Sequence, residues 1–237
     1  MRIAVIADIH GNIYALQETI RDIEKRNVDV TICAGDLVGY CPFPNEVIEL
    51  VRKCNIMTIM GNYDDAVGNE LLVCGCDYPD PKDAENAGIS LNWTIDATTV
   101  KNKEFLGSLP KEMKLVFGDI KMLFVHGSPR QLNEYLKENS KEASEVMDAF
   151  KYDVLVCGHT HKPYYKAYGD KMLINAGSVG KPKTGRPKAN YVIVDVLDNE
   201  VKVHIIEVEY EFEKAAKAIE AAGLPSEFAE IIRTGKA

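Results

Sequence analysis

The sequence predicts an α/β protein made of two mixed β-sheets packed face to face, with helices on the outside. Three observations carry this expectation. Apolar, β-prone runs at residues 3–7, 28–34 and 56–60 alternate with helical periodicity, the pattern of right-handed crossovers and a parallel sheet. The second half changes to closely spaced strand pairs joined at Gly118-Asp119, Gly169-Asp170 and Asp198-Asn199. A chain of 237 residues with 46% hydrophobic and 27% charged side chains is long enough to fill such a core.

The run 3–7 is the first strand. Leu16, Ile20 and Ile23 then recur at helical spacing, and 28–34 returns to β character. Residues 46–53 read as a helix, with Asn45 as its N-cap and Glu46 in the first turn, where a carboxylate meets the positive end of the helix dipole. Residues 56–60 form the third strand. The segment 65–110 differs from the rest: a Gly-, Cys- and Pro-containing loop over 68–81, then helical patterns over 83–93 and 99–106. It either folds beside a functional site and shapes a pocket, or only covers a sheet edge. Trp93 reads as core packing rather than a stacking platform. Runs 113–117 and 120–125, then 164–168 and 171–174, flank two-residue Gly-X links of the II′ hairpin kind, and 191–197 pairs with 200–208. Helical patterns at 212–222 and 225–232 close the chain. With no repeat, low-complexity tract or linker, residues 1–237 are expected to form one domain, with 65–110 as a helical insertion near the active site and 210–237 as a helical tail.

The formal charge of −8 argues against non-specific nucleic-acid binding, which needs a basic face. No run reaches the roughly 18 apolar residues of a membrane span. Met1-Arg2 leads directly into the first strand, so no signal peptide is expected and the chain reads as cytoplasmic. Of the six cysteines, Cys33 and Cys157 lie in apolar runs and read as buried thiols. Cys74-Gly75-Cys76 is open to a redox, metal or purely structural reading.

Four of the five histidines lie in short glycine-bracketed motifs: Asp8-Ile9-His10-Gly11, His126-Gly127 and Gly158-His159-Thr160-His161. Gly35-Asp36 and Gly61-Asn62-Tyr63-Asp64 complete the set. Nearly every motif follows an apolar strand. Strand ends converge distant side chains on one point, and adjacent glycines permit close approach and unusual dihedrals. Mixed Asp, Asn and His donors without cysteine suit divalent ions such as Mn²⁺, Fe²⁺, Ni²⁺ or Zn²⁺. The fifth histidine, His204, reads as an ordinary strand residue. Arg130 is a candidate for a substrate phosphate, with a solvated arginine as the alternative. The loop 181–188 carries four basic groups that either steer anions or are simply solvated.

The ordered series Asp-x-His, Gly-Asp, Gly-Asn-x-Asp, His-Gly and Gly-His-x-His resembles the calcineurin-like metallophosphoesterase superfamily. Gly35-Asp36-Leu37-Val38-Gly39-Tyr40, Pro44-Asn45-Glu46-Val47 and Asn175-Ala176-Gly177-Ser178-Val179-Gly180 are similar to its small single-domain bacterial and archaeal branch. The resemblance implies a four-layer α-β-β-α sandwich and two divalent metal ions per chain. One would be held by Asp8, His10, Asp36 and His161, the other by Asp36, Asn62, His126 and His159, with Asp36 bridging. It implies hydrolysis of phosphate mono- or diesters or phosphoanhydrides by attack of a metal-bridged hydroxide on phosphorus. Asp36, Asn62, Asp64 and His126 are then the catalytic candidates, and Tyr63 and Arg130 lie on the leaving-group or substrate side. The substrate would be a phosphorylated small molecule or a phosphoprotein; a dinucleoside polyphosphate hydrolase and a phosphoprotein phosphatase are alternatives, and a non-catalytic scaffold is a remote one. Asp64 orients a ligand or the attacking water, or else caps a loop. Tyr63 departs from the histidine that many members have there, and a tyrosine with a pKa of about 10 is a reluctant acid at neutral pH.

Overall fold

Strand–helix alternation in the first third of the chain builds three strands of one sheet, which a late hairpin completes, and the second sheet joins two hairpins through a central parallel strand. A computed structural model describes residues 1–236. The elements begin β1 (Arg2–Ile6), α1 (Ile13–Glu24), β2 (Val30–Cys33), α2 (Pro44–Lys53), β3 (Met57–Thr58) and α3 (Asn62–Gly68). They continue α4 (Pro81–Ala97), α5 (Val100–Gly107), β4 (Glu112–Phe117), β5 (Ile120–Val125), α6 (Lys141–Ala149) and β6 (Val154–Cys157). The chain ends β7 (Tyr164–Tyr168), β8 (Lys171–Asn175), β9 (Ala189–Leu197), β10 (Glu200–Val208), α7 (Phe212–Ala221) and α8 (Ser226–Thr234).

The two five-stranded sheets have the orders β10-β9-β1-β2-β3 and β4-β5-β6-β8-β7. β1, β2 and β3 are parallel, as are β5, β6 and β8, while β9, β10, β4 and β7 pair antiparallel, so both sheets are mixed as expected. The three hairpins carry the required turn geometry. Gly118 and Gly169 sit at φ +63 and +64, and Asp198 and Asn199 at +51 and +62. β3 is shorter than the run 56–60, because Ile59 N–H makes the last bond to β2, at the Cys33 carbonyl, and Met60 N–H donates to the Pro110 carbonyl at 2.8 Å instead.

Strand alternation sorts the apolar side chains into layers. Ile3, Val5 and Ala7 face Phe124, Val156 and Ile174 between the sheets. Ala4 and Ile6 face the opposite way, onto a cluster with Leu16 of α1, Val47 of α2 and Ile219 of α7. Leu155 and Cys157 point out of the second sheet against Ala143 and Met147 of α6. This is the four-layer α-β-β-α sandwich. Each fully buried Val, Leu, Ile, Met or Phe side chain among them contributes about 1.5–3 kcal/mol.

Asn45 does not cap α2. The cap is Phe43, and Pro44 occupies the first turn, where its missing N–H costs nothing. Asn45 instead reaches the α4–α5 junction. Its Nδ2 donates to the Ala97 carbonyl at 2.8 Å, and its Oδ1 accepts from Thr99 N and Asn102 Nδ2. Among the described residues no helix is long and apolar enough to cross a membrane.

Candidate metal centre

Every predicted ligand lies just past the C-terminal end of a parallel strand: Asp8 and His10 after β1, Asp36 after β2, Asn62 after β3, His126 after β5, His159 and His161 after β6. All seven are buried. The loops are stitched together by main-chain bonds, with Asp8 N–H to the Gly35 carbonyl, Ile9 N–H to that of Asp36 and Gly158 N–H to that of His126. The structure brings the donors into two groups, Asp8/His10/His161 and Asp36/His126/His159, each with ligand atoms within 4.8 Å of one another.

The hydrogen bonds decide which atoms point inward. His10 Nδ1 lies 3.0 Å from the Val38 carbonyl and His161 Nδ1 2.6 Å from that of Lys181. A carbonyl only accepts, so both Nδ1 atoms carry the proton and both Nε2 atoms present lone pairs. Those Nε2 atoms are 3.2 Å apart, and Asp8 Oδ1 lies 3.3 Å from His161 Nε2 and 3.7 Å from His10 Nε2. Asp8 Oδ1 has no hydrogen-bond partner of its own. The second group repeats the logic. His126 Nδ1 donates to the Ala34 carbonyl at 2.8 Å and His159 Nε2 to that of Asn133 at 3.1 Å. Asn62 Nδ2 donates to the Cys74 carbonyl and to Cys76 Sγ, which turns its Oδ1 inward, 2.9 Å from His126 Nε2. His159 Nδ1 and Asp36 Oδ2 lie 3.2 and 3.4 Å from that same nitrogen.

Both clusters are thus convergences of acceptors, which repel unless a cation or proton stands among them. Donors about 2.0–2.2 Å from one divalent ion are themselves separated by about 3–3.5 Å, so the residues fit a metal ion in each group. Asp36 Oδ2 also lies 3.6 Å from His10 Nε2, between the two groups.

Charge follows the same geometry. Burial lowers the proton affinity of His10, His159 and His161, keeping them neutral at pH 7, with His10 at about 4 and His159 at about 3. Burial acts the same way on His126, but the adjacent Asp36 carboxylate outweighs it and raises His126 to about 10. Asp36 is correspondingly held below the usual carboxylate range, because His126 and His10 overcome the cost of its burial. Burial pushes Asp8 up, to about 8.

Asp64 touches no candidate donor atom. Its carboxylate accepts from the backbone N–H groups of Asp36, Leu37 and Gly61 at 2.8–2.9 Å, which locks the Asp36 loop to the start of α3. Asp36 Oδ1 accepts from Tyr63 N at 2.8 Å, leaving Oδ2 toward the histidines. A side chain at Gly61 would run into the Asp36 carboxylate. Asp8, His10, Asp36, His159 and His161 themselves adopt left-handed φ between +49 and +65. Asp and His tolerate that region better than most residues, yet such strain persists only where the surroundings enforce it.

Part of that enforcement lay unassigned in the sequence. Ser178 Oγ donates to the Asp8 carbonyl at 2.7 Å and Gly180 N–H to the same oxygen at 3.0 Å, while Asn12 Nδ2 holds the Gly180 carbonyl. A Cβ at Gly180 would strike the Ile9 carbonyl. The run 175–180 carried the signal, as a motif without a role. Tyr135, stacked 4.0 Å from the His159 ring, had none.

A cavity of about 1160 Å³ opens over both groups, bounded by Tyr40, Tyr63, Tyr135, Lys181 and, from residues 65–110, Cys76 and Tyr78. Tyr63 is fully buried; its ring packs edge-on to His10 and its hydroxyl has no hydrogen-bond partner. Arg130 is exposed and paired with Glu134 and Glu145, outside the cavity wall. His204 is exposed on β10 beside Asp195. Cys33 and Cys157 are buried.

A sequence profile of the calcineurin-like phosphoesterase superfamily domain matches residues 1–199. An uncharacterized protein of Methanocaldococcus jannaschii, MJ0912, is 36% identical over 99% of this chain and 98% of its own. The phosphodiesterase MJ0936 of the same organism is 22% identical over 85% of this chain and 95% of its own. A crystal structure of a metallophosphoesterase from Sphaerobacter thermophilus superposes with a TM-score of 0.79 at 30% identity, covering 99% of both chains.

Proposed function

The chain belongs to the calcineurin-like phosphoesterase superfamily, and on that footing we propose that it is a metal-dependent phosphoric ester hydrolase acting on a phosphorylated small molecule. The observation that carries this reading is the pair of buried acceptor clusters sharing Asp36 Oδ2. Two divalent ions, when bound, would polarise phosphoryl oxygens and bring the pKa of a water near neutrality. Asp8, His10 and His161 would hold one ion, Asn62, His126 and His159 the other, and Asp36 would serve both. The backbone carbonyls of Val38, Lys181, Ala34 and Asn133 hold each imidazole in the tautomer that ligation needs. Asp64 acts as a positioning residue through the Asp36 and Gly61 main chain. Residues 65–110 supply one wall of the substrate cavity and turn the Asn62 amide.

The test is elemental analysis of protein refolded with Mn²⁺, alongside hydrolysis of p-nitrophenyl phosphate and bis(p-nitrophenyl) phosphate. About two ions per chain and metal-dependent release of nitrophenol are expected, with Asp36→Ala losing about 10²–10³-fold in rate, the scale of a lost electrostatic catalytic group. A metal-free protein without turnover, or a fully active Asp36→Ala variant, would overturn the reading.

A further inference from the structure

The four basic residues of the 181–188 loop separate into two unlike pairs. Arg186 and Lys188 reach outward to Glu207 and Glu209, at 2.7 and 3.0 Å. Lys181 and Lys183 turn toward the cavity over the metal centre. Among the described residues neither ammonium has a carboxylate partner or a side-chain hydrogen bond, and Glu227, on the same wall, is held by Lys82.

Lys181 is the more unusual of the two. It is 6% exposed, and its Nζ lies 3.7 Å from the centre of the Tyr40 ring and 5.5 Å from that of Phe228. A cation–π contact contributes about 0.5–2 kcal/mol, well short of the hydration an ammonium loses on burial. Burial accordingly lowers its pKa to about 7, and an anion in the cavity would restore its full charge. Among the described residues no candidate-ligand carboxylate lies within ion-pair distance of either ammonium; Asp8, which acts on Lys183 from farther off, is turned toward His161 and His10. The position is also tied to the centre. Lys181 O accepts from His161 Nδ1, Lys183 N–H donates to the His161 carbonyl at 3.2 Å, and the Tyr40 ring under the ammonium packs edge-on against His10 at 4.8 Å. Lys181 therefore stands one aromatic ring away from the Asp8/His10/His161 group, and Lys183 is tied to it through the His161 main chain.

We propose that Lys181 and Lys183 form an anion subsite beside the attacked phosphoryl group, and that the substrate carries a second phosphoryl group directly attached to the first, as in a phosphoanhydride. An ammonium is a compact, strongly charged donor suited to phosphate oxygens, and in this cavity it is already stripped of water. The inference rests on the hydrolase reading above, but its test separates the two.

Methylphosphonate and methylenediphosphonate, two non-hydrolysable ligands carrying one and two phosphonate groups, are titrated calorimetrically into the Mn²⁺-loaded full chain. The quantity read is the preference for the diphosphonate, as a ratio of dissociation constants. Lys181→Met, which keeps the apolar stem against Tyr40 and Phe228, and Lys183→Met should each reduce that ratio about 10- to 100-fold, the scale of one charge-assisted hydrogen bond. Whatever preference comes from the metal alone remains in both variants. Thermal melting confirms that each variant is folded; Lys183→Met serves alone if Lys181→Met is not. An unchanged ratio in the folded variants overturns the subsite. Loss of the ratio in a metal-loaded protein that hydrolyses neither aryl phosphates nor inorganic pyrophosphate leaves the subsite standing and overturns the hydrolase reading instead.

Discussion

Tyr63 is the residue at which the site departs most from a ready-made acid–base apparatus. Burial, with Tyr40 and Tyr78 close by, drives its pKa well above the ordinary value, so it keeps its proton at any physiological pH. Its hydroxyl lacks a partner, and its contact with the centre is a ring edge on His10 together with a backbone N–H to Asp36. Rates across a series of aryl and alkyl phosphates should therefore fall steeply as the leaving group becomes more basic. Tyr63→Phe should keep that slope and leave stability equal or slightly higher, because removing an unsatisfied buried hydroxyl is nearly neutral. A flattened slope in the wild type, or a Tyr63→Phe variant that steepens it, would make the phenol the acid after all. Asp64 acts by another route. In Asp64→Asn the amide turns an N–H toward backbone N–H groups that now find a carboxylate. Loss of about 2–3 kcal/mol follows, a melting temperature lower by about 4–10 °C, together with weaker metal binding measured by titration.

At the level of elements, the ends of strands and the loops beyond them do most of the positioning. β3 is only two residues long, yet it delivers Gly61 and Asn62 because the Pro110 carbonyl and the Asp64 carboxylate take over where the ladder stops. α2 contributes differently from its sequence reading. Asn45 looked like a cap by residue type and position, but Pro44 already fits the first turn and frees the asparagine to clamp the α4–α5 junction. Asn45→Ala removes three hydrogen bonds at once and leaves Thr99 N and the Ala97 carbonyl unpaired there. A destabilisation of about 2–3 kcal/mol is expected, read as a drop in urea midpoint. An unaltered midpoint would return Asn45 to the status of a solvated surface residue. α4 and α5 themselves were legible from their periodicity, and Thr99 supplies the side-chain cap of α5.

For the whole molecule, the clusters couple metal, proton and stability. In metal-free protein His126 has its folded pKa raised to about 10 from 6.5, and Asp8 to about 8. A raised folded pKa means that the stabilisation is fully present below the unfolded value and is lost as pH climbs through the folded one. For His126 that window runs from about 6.5 to 10, and Asp8 acts in the same direction within it. Lys181, which burial lowers to about 7, acts in the opposite sense over the same range, so the His126 contribution is read against His126→Asn. The melting-temperature advantage of metal-free wild type over that variant should decline from pH 7 to pH 10, by about 2–4 °C for each kcal/mol lost. With Mn²⁺ bound, the ion occupies the place of the proton and the decline should vanish. Metal binding at pH 7 should also release protons, seen as a buffer dependence of the calorimetric heat. A wild-type advantage over His126→Asn that stays constant across that range would show that Asp36 and His126 do not share a proton.

The sequence by itself determined the two-sheet architecture, because strand alternation, crossover spacing and Gly-X turns are local signals that add up to one topology. It also singled out the seven candidate donors, six of which the fold gathers into two buried groups, since the chemistry of Asp, Asn and His in glycine-bracketed loops is visible without a fold. Tertiary structure alone decided which atom of each donor faces the centre. The Ala34, Val38, Lys181 and Asn133 carbonyls that set the imidazole tautomers lie 20–92 residues away along the chain and have no side-chain signature. It also divided the basic loop into two lysines over the centre and two groups paired at the surface, because burial and partnership depend on what the rest of the chain packs against that loop.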